Sequence, residues 1–393
     1  MSVSAKESIS FINSIKWLIA TFLLWRLALF IVAFTGLSLS IEYPGTYDHN
    51  SHWVYFENNY ILNGFFRWDA DWYDLIAREG YFNGQDERKG NKTAFFPLFP
   101  LLSRWLSHVF SSHLIAGLVI SNVSLLLALG ICYRIGLKFY KEQIVQRSII
   151  LILSFPGSFF FSTYYTEGLY FFLTSASLLY YFRDNYLASG CFGFLASLTR
   201  PTGVSLIIAM AISSAFQKIL GKKTIKPSIS FLLLIPLGLL TYMAFLYIYT
   251  GNAFIFSTSQ VYWGRSFNFP LLSLIQSIKE INFSLPRDMN NTQILVNSFC
   301  AFLFLGSGAW MLIKNLKSQE NITLPLWVLI GVLFPLSTGS TDSMVRFCSV
   351  LFPVFFMLAA SLKKEVHYAW LISFFSALQA VYLLGFMNKF WVV

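Results

Sequence analysis

The stretch KWLIATFLLWRLALFIVAFTGLSLSI, Lys16 to Ile41, decides what kind of molecule this is. It is almost wholly apolar and long enough to cross a bilayer, which takes about 20 apolar residues. From Trp17 onward it is too long for the core of a signal peptide and has no clear small-residue cleavage site. It reads as a retained helix that also targets the chain. Arg26 lies well inside it. A cation at that depth is costly and pairs or snorkels. A structural pair within a helical bundle is the expectation, with a substrate role as the alternative.

Similar runs recur to the far end of the chain, at roughly 113–137, 148–163, 165–182, 186–199, 203–220, 229–249, 294–313, 324–339, 345–362 and 368–388. The expected fold is an all-α integral membrane protein of about eleven transmembrane helices. It forms a single polytopic domain over residues 1–393, with no large soluble domain left over. The breaks around Thr163 to Tyr165 and Thr199 to Gly203 suit tight outer hairpins or broken helices. Composition agrees: 56% of the residues are hydrophobic and only 12% charged, about half the charge density of a soluble domain. Cys132, Cys191, Cys300 and Cys348 lie in or beside apolar spans without CxxC spacing, so they read as small core residues.

The net charge of +10 does not imply a nucleic-acid partner, because the basic residues fall in short loops between apolar spans. Lys138, Lys141 and Arg147 mark one such loop, and Lys218, Lys222, Lys223 and Lys226 another. Lys314 and Lys317 mark a third, and Lys363 and Lys364 a fourth. A cytoplasmic N-terminus places all four in the cytoplasm, as the positive-inside rule requires. Two long segments, 42–112 and 250–293, are then outside, with short outer turns near Arg200 and Asp342. Nearly every unusual polar residue falls on that side, so chemistry is expected at the outer face.

The densest constellation runs from Phe66 to Tyr81, FRWDADWYDLIAREGY. Trp68, Trp72, Leu75, Ile76 and Glu79 recur at helical spacing, and Gly80 is a plausible stop. This predicts a short helix lying at the membrane surface with its rings at headgroup depth. Asp69 falls between two tryptophans and one turn before Tyr73. A carboxylate in an aromatic rim can serve as a general base; equally, the aspartates can simply cap the helix.

Thr93 to Arg104 follows, with Pro97 and Pro100 in a segment that re-enters the membrane surface or opens a helix. Ser154 to Gly168 places Glu167 near the outer end of a helix, where it is either functional or merely favourable to the helix N-terminus. Leu198 to Gly203 sets Arg200 at an outer break, to hold a phosphate or to snorkel. Gln260 to Arg265 and Ser340 to Phe347 each place an arginine, Arg265 and Arg346, beside aromatic or polar groups; either can also be an interface anchor. There is no Walker loop, GxGxxG, HExxH or nucleophile elbow. No nucleotide-sugar domain is present. His49 and His52 lack companions at ligand spacing, so neither metal nor cofactor is expected.

Together these stretches resemble the PIG-V family of mannosyltransferases, whose eukaryotic members add the second mannose of the GPI anchor. The resemblance rests on Arg67-Trp68-Asp69-Ala70, Trp72-Tyr73, Ile76-Ala77 and Gly80-Tyr81. It continues in Ala94 to Pro100, Thr163 to Leu169 and Leu198 to Gly203, the last in a form similar to prokaryotic relatives. It covers roughly residues 15–205, and is weaker at Gln260 to Arg265 and Ser343 to Phe347. It implies a GT-C-type bundle whose catalytic acid lies in the first outer loop, matched here by Asp69. It also implies a polyprenyl-phosphate-linked sugar as donor, mannose being the expected sugar, and an acceptor hydroxyl of unknown identity. Asp69 is then the catalytic base. Arg67, Trp68, Asp71, Trp72, Tyr73, Glu167, Arg200, Arg265 and Arg346 are candidate substrate-binding residues, the outer arginines offsetting charge on the departing phosphate. The expected setting is a prokaryotic plasma membrane with the site facing outward, or the endoplasmic reticulum in a eukaryote. A transporter or flippase of lipid-linked sugar is the alternative. It would favour repeated halves, and no convincing repeat is present. A non-catalytic subunit of a membrane assembly is a third reading.

Overall fold

The computed structural model describes residues 3–38, 59–82, 92–281 and 289–392. His49, His52 and parts of both outer segments lie outside these residues. Among the described residues all regular structure is helical, the arrangement that satisfies backbone polar groups within each segment when no water is present. The helices are α1 (Val3–Ser38), α2 (Tyr60–Gly64), α3 (Asp69–Glu79), α4 (Leu98–Phe110), α5 (His113–Gly136), α6 (Glu142–Ser154), α7 (Glu167–Tyr181), α8 (Tyr186–Thr199) and α9 (Ser205–Ile219). There follow α10 (Leu234–Thr250), α11 (Ile255–Thr258), α12 (Pro270–Lys279), α13 (Met289–Lys317), α14 (Thr323–Leu336), α15 (Met344–Ser349), α16 (Pro353–Ser361) and α17 (Glu365–Met387). Short 3-10 segments cover Pro156–Ser162, Pro201–Val204, Pro227–Leu233 and Ser259–Trp263.

Six of these spans are long and apolar enough to cross a bilayer, or seven if α6 and the 3-10 segment after it, bent by 81°, form one broken span. The chain is thus a multi-pass membrane protein, and the expected count of about eleven spans is not confirmed by helix length and composition among the described residues. The remaining apolar helices are short. α7, with 15 residues, is roughly 22 Å long at 1.5 Å per residue, below the ~30 Å of a hydrocarbon core. It is buried on nearly every side, so protein surrounds it and its length need not match the bilayer. α1 is the contrasting case: Leu23, Leu24, Leu27, Phe30, Ile31 and Phe34 are exposed along it, an apolar face that suits lipid.

Polar side chains repair the breaks. Pro156 ends α6, where the last carbonyls run short of helical N–H donors. Two carbonyls at this break are those of Leu153 and of Phe155, which also accepts from the Ser158 N–H at 2.9 Å. The Gln379 amide of α17 donates to both, at 2.8 and 2.7 Å, while its own oxygen accepts from the Trp25 indole at 3.2 Å. Pro97 and Pro100 bracket the first turn of α4, where a missing N–H costs little. Arg26 has no acid partner among the described residues. Its guanidinium lies 5.5 Å over the Phe65 ring, so the structural pair is a cation–π contact.

The Asp69–Glu79 helix is largely enclosed by protein. Ala70, Asp71, Tyr73, Asp74, Leu75, Ile76 and Ala77 are all buried, with α4 packed along it. The exposed amphipathic role falls to α4, whose Leu101, Trp105 and Val109 repeat every four residues on the outside.

The helices sort the polar groups to opposite ends. At one end Lys223 pairs with Asp184, Lys222 donates to the Gln319 carbonyl, Lys138 to the Phe182 carbonyl and Arg147 pairs with Glu365. All four expected cytoplasmic loops meet there. Asp69, Glu167, Arg200, Arg265 and Arg346 lie at the other ends of the same helices or in the loops that join them.

Candidate active site

Four segments distant in sequence deliver one chain of alternating charge. Asp69 opens α3, Glu167 opens α7, Arg200 follows α8 and Arg346 lies on α15. Arg346 Nη1 donates to Asp69 Oδ2 at 2.8 Å, and Arg346 Nε lies 3.1 Å from Glu167 Oε1. The same Glu167 oxygen accepts from Arg200 Nη2, and Arg200 Nε donates to Thr166 Oγ1 at 2.9 Å. Glu167 is fully enclosed. Burying a carboxylate is costly unless it is paired, and two guanidiniums contact this one. Aromatic rings pack the guanidinium planes: Phe160 and Tyr165 at 5.3 and 5.1 Å from Arg346, and Phe347 at 5.2 Å from Arg200. Arg265 approaches the same Phe347 ring at 5.9 Å and donates to the Asp342 carbonyl and to Ser343 Oγ, each at 3.2 Å.

These groups border a cavity of about 340 Å³. Asp69, Tyr73, Arg200, Gln260, Arg265, Asp342 and Arg346 form its polar lining, and Phe95, Phe96, Leu239, Phe254, Phe256, Trp263, Phe334 and Trp391 its apolar walls. The wall from the Phe-Phe-Pro block is held by the Phe95 carbonyl, which accepts from the Tyr81 and Tyr242 hydroxyls at 2.6 and 3.3 Å. Phe254 and Phe334 are themselves exposed, so the apolar wall continues onto the outside of the bundle.

The protonation chemistry of the lining is narrow. Burial pushes the Tyr73 hydroxyl up to about 12, so it is a neutral phenol at ordinary pH and not a base. Two carboxylates line the cavity, Asp69 and Asp342. Asp69 Oδ2 is committed to Arg346, while no hydrogen bond engages its Oδ1 among the described residues. Arg200 is 7% exposed, yet its Nη1 has no acceptor among the described residues. The cavity therefore offers a free carboxylate oxygen and a buried guanidinium N–H without a partner. No group of three or more metal-ligating side chains occurs among the described residues.

Of the residues singled out in the sequence, Asp69, Tyr73, Arg200, Arg265 and Arg346 line this cavity. The others do not. Glu167 lies beneath it, bridging two arginines. Arg67 is buried and turned to the Phe66 carbonyl at 3.5 Å, and Asp71 is buried in α3. Trp72 stacks on Phe95 at 5.5 Å. Trp68 meets Trp391 edge-on at 4.9 Å. The sequence reading missed Asp342 and Trp391. Asp342 sat within a block noted for its arginine. Trp391 carried no local signal, because only the return of the chain after α17 brings it to the site.

No protein-family model and no curated protein matches this chain. Among solved structures it is similar to the oligosaccharyltransferase of Archaeoglobus fulgidus. The apo form aligns with a TM-score of 0.44 at 15% identity, over 93% of this chain and 55% of that one. The form tethered to an acceptor peptide with the NVT sequon gives 0.45 at 14%, with the same coverage. The complex with an inhibitory peptide and a dolichol-phosphate gives 0.40 at 12%, again over 93% and 55%. The chain thus spans about half the length of the structures it matches.

Proposed function

We propose that this protein is a GT-C-type membrane glycosyltransferase of the PIG-V kind. In this reading it moves a sugar, mannose in the first instance, from a polyprenyl-phosphate carrier to an acceptor hydroxyl at the non-cytoplasmic face. The observation that carries the proposal is the single cavity in which Asp69 meets Arg200, Arg265 and Arg346. The motif resemblance over the N-terminal half supports it independently. In the proposed reaction the acceptor O–H gives its proton to Asp69 Oδ1 while its oxygen attacks the anomeric carbon. The bond from that carbon to the phosphate oxygen breaks, and the electron pair leaves with the polyprenyl phosphate. Charge developing on the phosphate is offset by guanidinium donors already in place, which costs no reorganisation. The apolar wall ending at Phe254 and Phe334 suits a lipid chain that reaches the cavity from the bilayer.

The test is transfer from labelled polyprenyl-phosphate mannose in membranes, with products identified by mass and nucleotide sugars as the comparison. Asp69→Asn keeps size and hydrogen-bonding capacity but removes the base. Turnover should fall at least about 100-fold, while the protein still inserts and binds donor lipid. Asp342→Asn, Asp71→Asn and Asp74→Asn should do less. Loss on Asp342→Asn with Asp69→Asn active would move the base to the other wall. Movement of intact lipid-linked sugar without transfer would make the protein a transporter.

A further inference from the structure

Asp69 is aimed by its backbone. It is the first residue of α3, and Trp68 before it sits at φ 55°, ψ −115°. That region suits glycine; a residue with a side chain is held there at a cost of order 1–3 kcal/mol, and only where its surroundings over-determine it. Here the turn is closed by the Ala70 N–H, which donates to the Arg67 carbonyl at 3.2 Å, and one phenol adds to that restraint. The Tyr165 hydroxyl donates to the Arg67 carbonyl at 3.0 Å and accepts from the Asp69 N–H at 3.2 Å. It therefore straddles Trp68, bonding the peptide on each side. The phenol itself is fixed. It is wholly buried, Phe160 and Phe386 pack on it at 5.1 and 6.1 Å, and its main-chain carbonyl accepts from Ser121 Oγ at 3.1 Å. The Arg346 guanidinium, which holds the Asp69 carboxylate, lies 5.1 Å from the same ring. One side chain thus references both the backbone of Asp69 and its cationic partner.

We infer that Tyr165 is a positioning residue, whose hydroxyl clamps the Trp68 turn in a glycine-type conformation and so directs the Asp69 carboxylate into the cavity. The inference rests on the reading of Asp69 as the base, but the clamp is a property of the fold and is measurable apart from catalysis. Tyr165→Phe removes only the oxygen that makes both bonds. Trp68→Gly removes the need for the clamp, because glycine takes that conformation unaided.

The experiment is a double-mutant cycle of Tyr165→Phe and Trp68→Gly in the purified full-length protein. It is read as turnover, donor KM and the thermal unfolding midpoint. Tyr165→Phe alone should lower kcat by about 10- to 100-fold, the scale of a small misplacement of a reacting group. Donor KM should stay within about twofold, since ground-state donor contacts are untouched. The loss in unfolding midpoint caused by Tyr165→Phe should shrink in the Trp68→Gly background. An equal loss in both backgrounds overturns the clamp, as does unchanged kcat in an active enzyme. If the wild-type protein transfers no sugar, the functional reading fails and the midpoint cycle alone decides the clamp.

Discussion

Arg346 holds the Asp69 carboxylate with one nitrogen and faces Glu167 with another, while Arg200 bonds the same Glu167 oxygen and Thr166. Each guanidinium is used as a fork. A lysine would keep the charge but lose the planar fork. If these two arginines hold the donor phosphate, Arg200→Gln and Arg346→Gln should each raise donor KM by roughly 10- to 100-fold, the worth of a charged hydrogen bond of about 1.5–3 kcal/mol. The Lys variants should raise it less. Saturation of transfer against donor concentration in the four variants decides the matter. Unchanged donor KM in both Gln variants would place the phosphate elsewhere, with Arg265 the next candidate.

Glycine contacts set how closely the site-bearing elements approach. The 3-10 segment Pro156–Ser162 passes α15 so closely that a Cβ on Gly157 would lie 2.4 Å from the Val345 carbonyl oxygen. Backbone cannot yield there as a side chain tip can, so Gly157→Ala must push α15 away and carry Arg346, the next residue, with it. Overpacking of this kind costs about 1–3 kcal/mol. Gly157→Ala should therefore lower the unfolding midpoint and turnover together. Gly130→Ala, where a Cβ meets nothing within 4 Å, is the matched control and should leave both intact. Gly168 makes a similar approach to the Ser121 carbonyl, at 2.5 Å, directly after Glu167. The Pro156-Gly157 and Glu167-Gly168 pairs mark places where a new element begins and also touches a neighbour closely. Their sequences announce the beginnings but not the neighbours.

At the scale of the molecule, the basic loops gather at one end of the bundle and the cavity lies at the other. The positive-inside argument assigns the basic end to the cytoplasm. With the exposed Cys191 replaced by serine, a membrane-impermeant maleimide applied to intact cells should label Asn252→Cys, at the cavity end, and not Lys222→Cys. The reverse pattern would turn the site inward and remove the case for transfer at the outer face.

Sequence alone determined the class of molecule, because membrane solvation acts on each span separately: a run such as Lys16 to Ile41 is legible without knowledge of its neighbours. It also determined that one end is basic, since the lysines cluster locally, and that Asp69, Arg200, Arg265 and Arg346 are unusual, since polar groups among apolar spans stand out one at a time. Only the tertiary structure decided that these four line one cavity, because their separations along the chain are bridged by helix packing. It alone decided that α3 is buried beneath its neighbours, which an amphipathic pattern read by itself could not anticipate. It also showed that short helices such as α7 are enclosed by protein, so their length need not match the bilayer. Glu167 and Tyr165 belong to the same category. Each sits in a motif visible in the sequence, but the one's bridge between two arginines and the other's grip on the peptides flanking Trp68 exist only where distant segments meet.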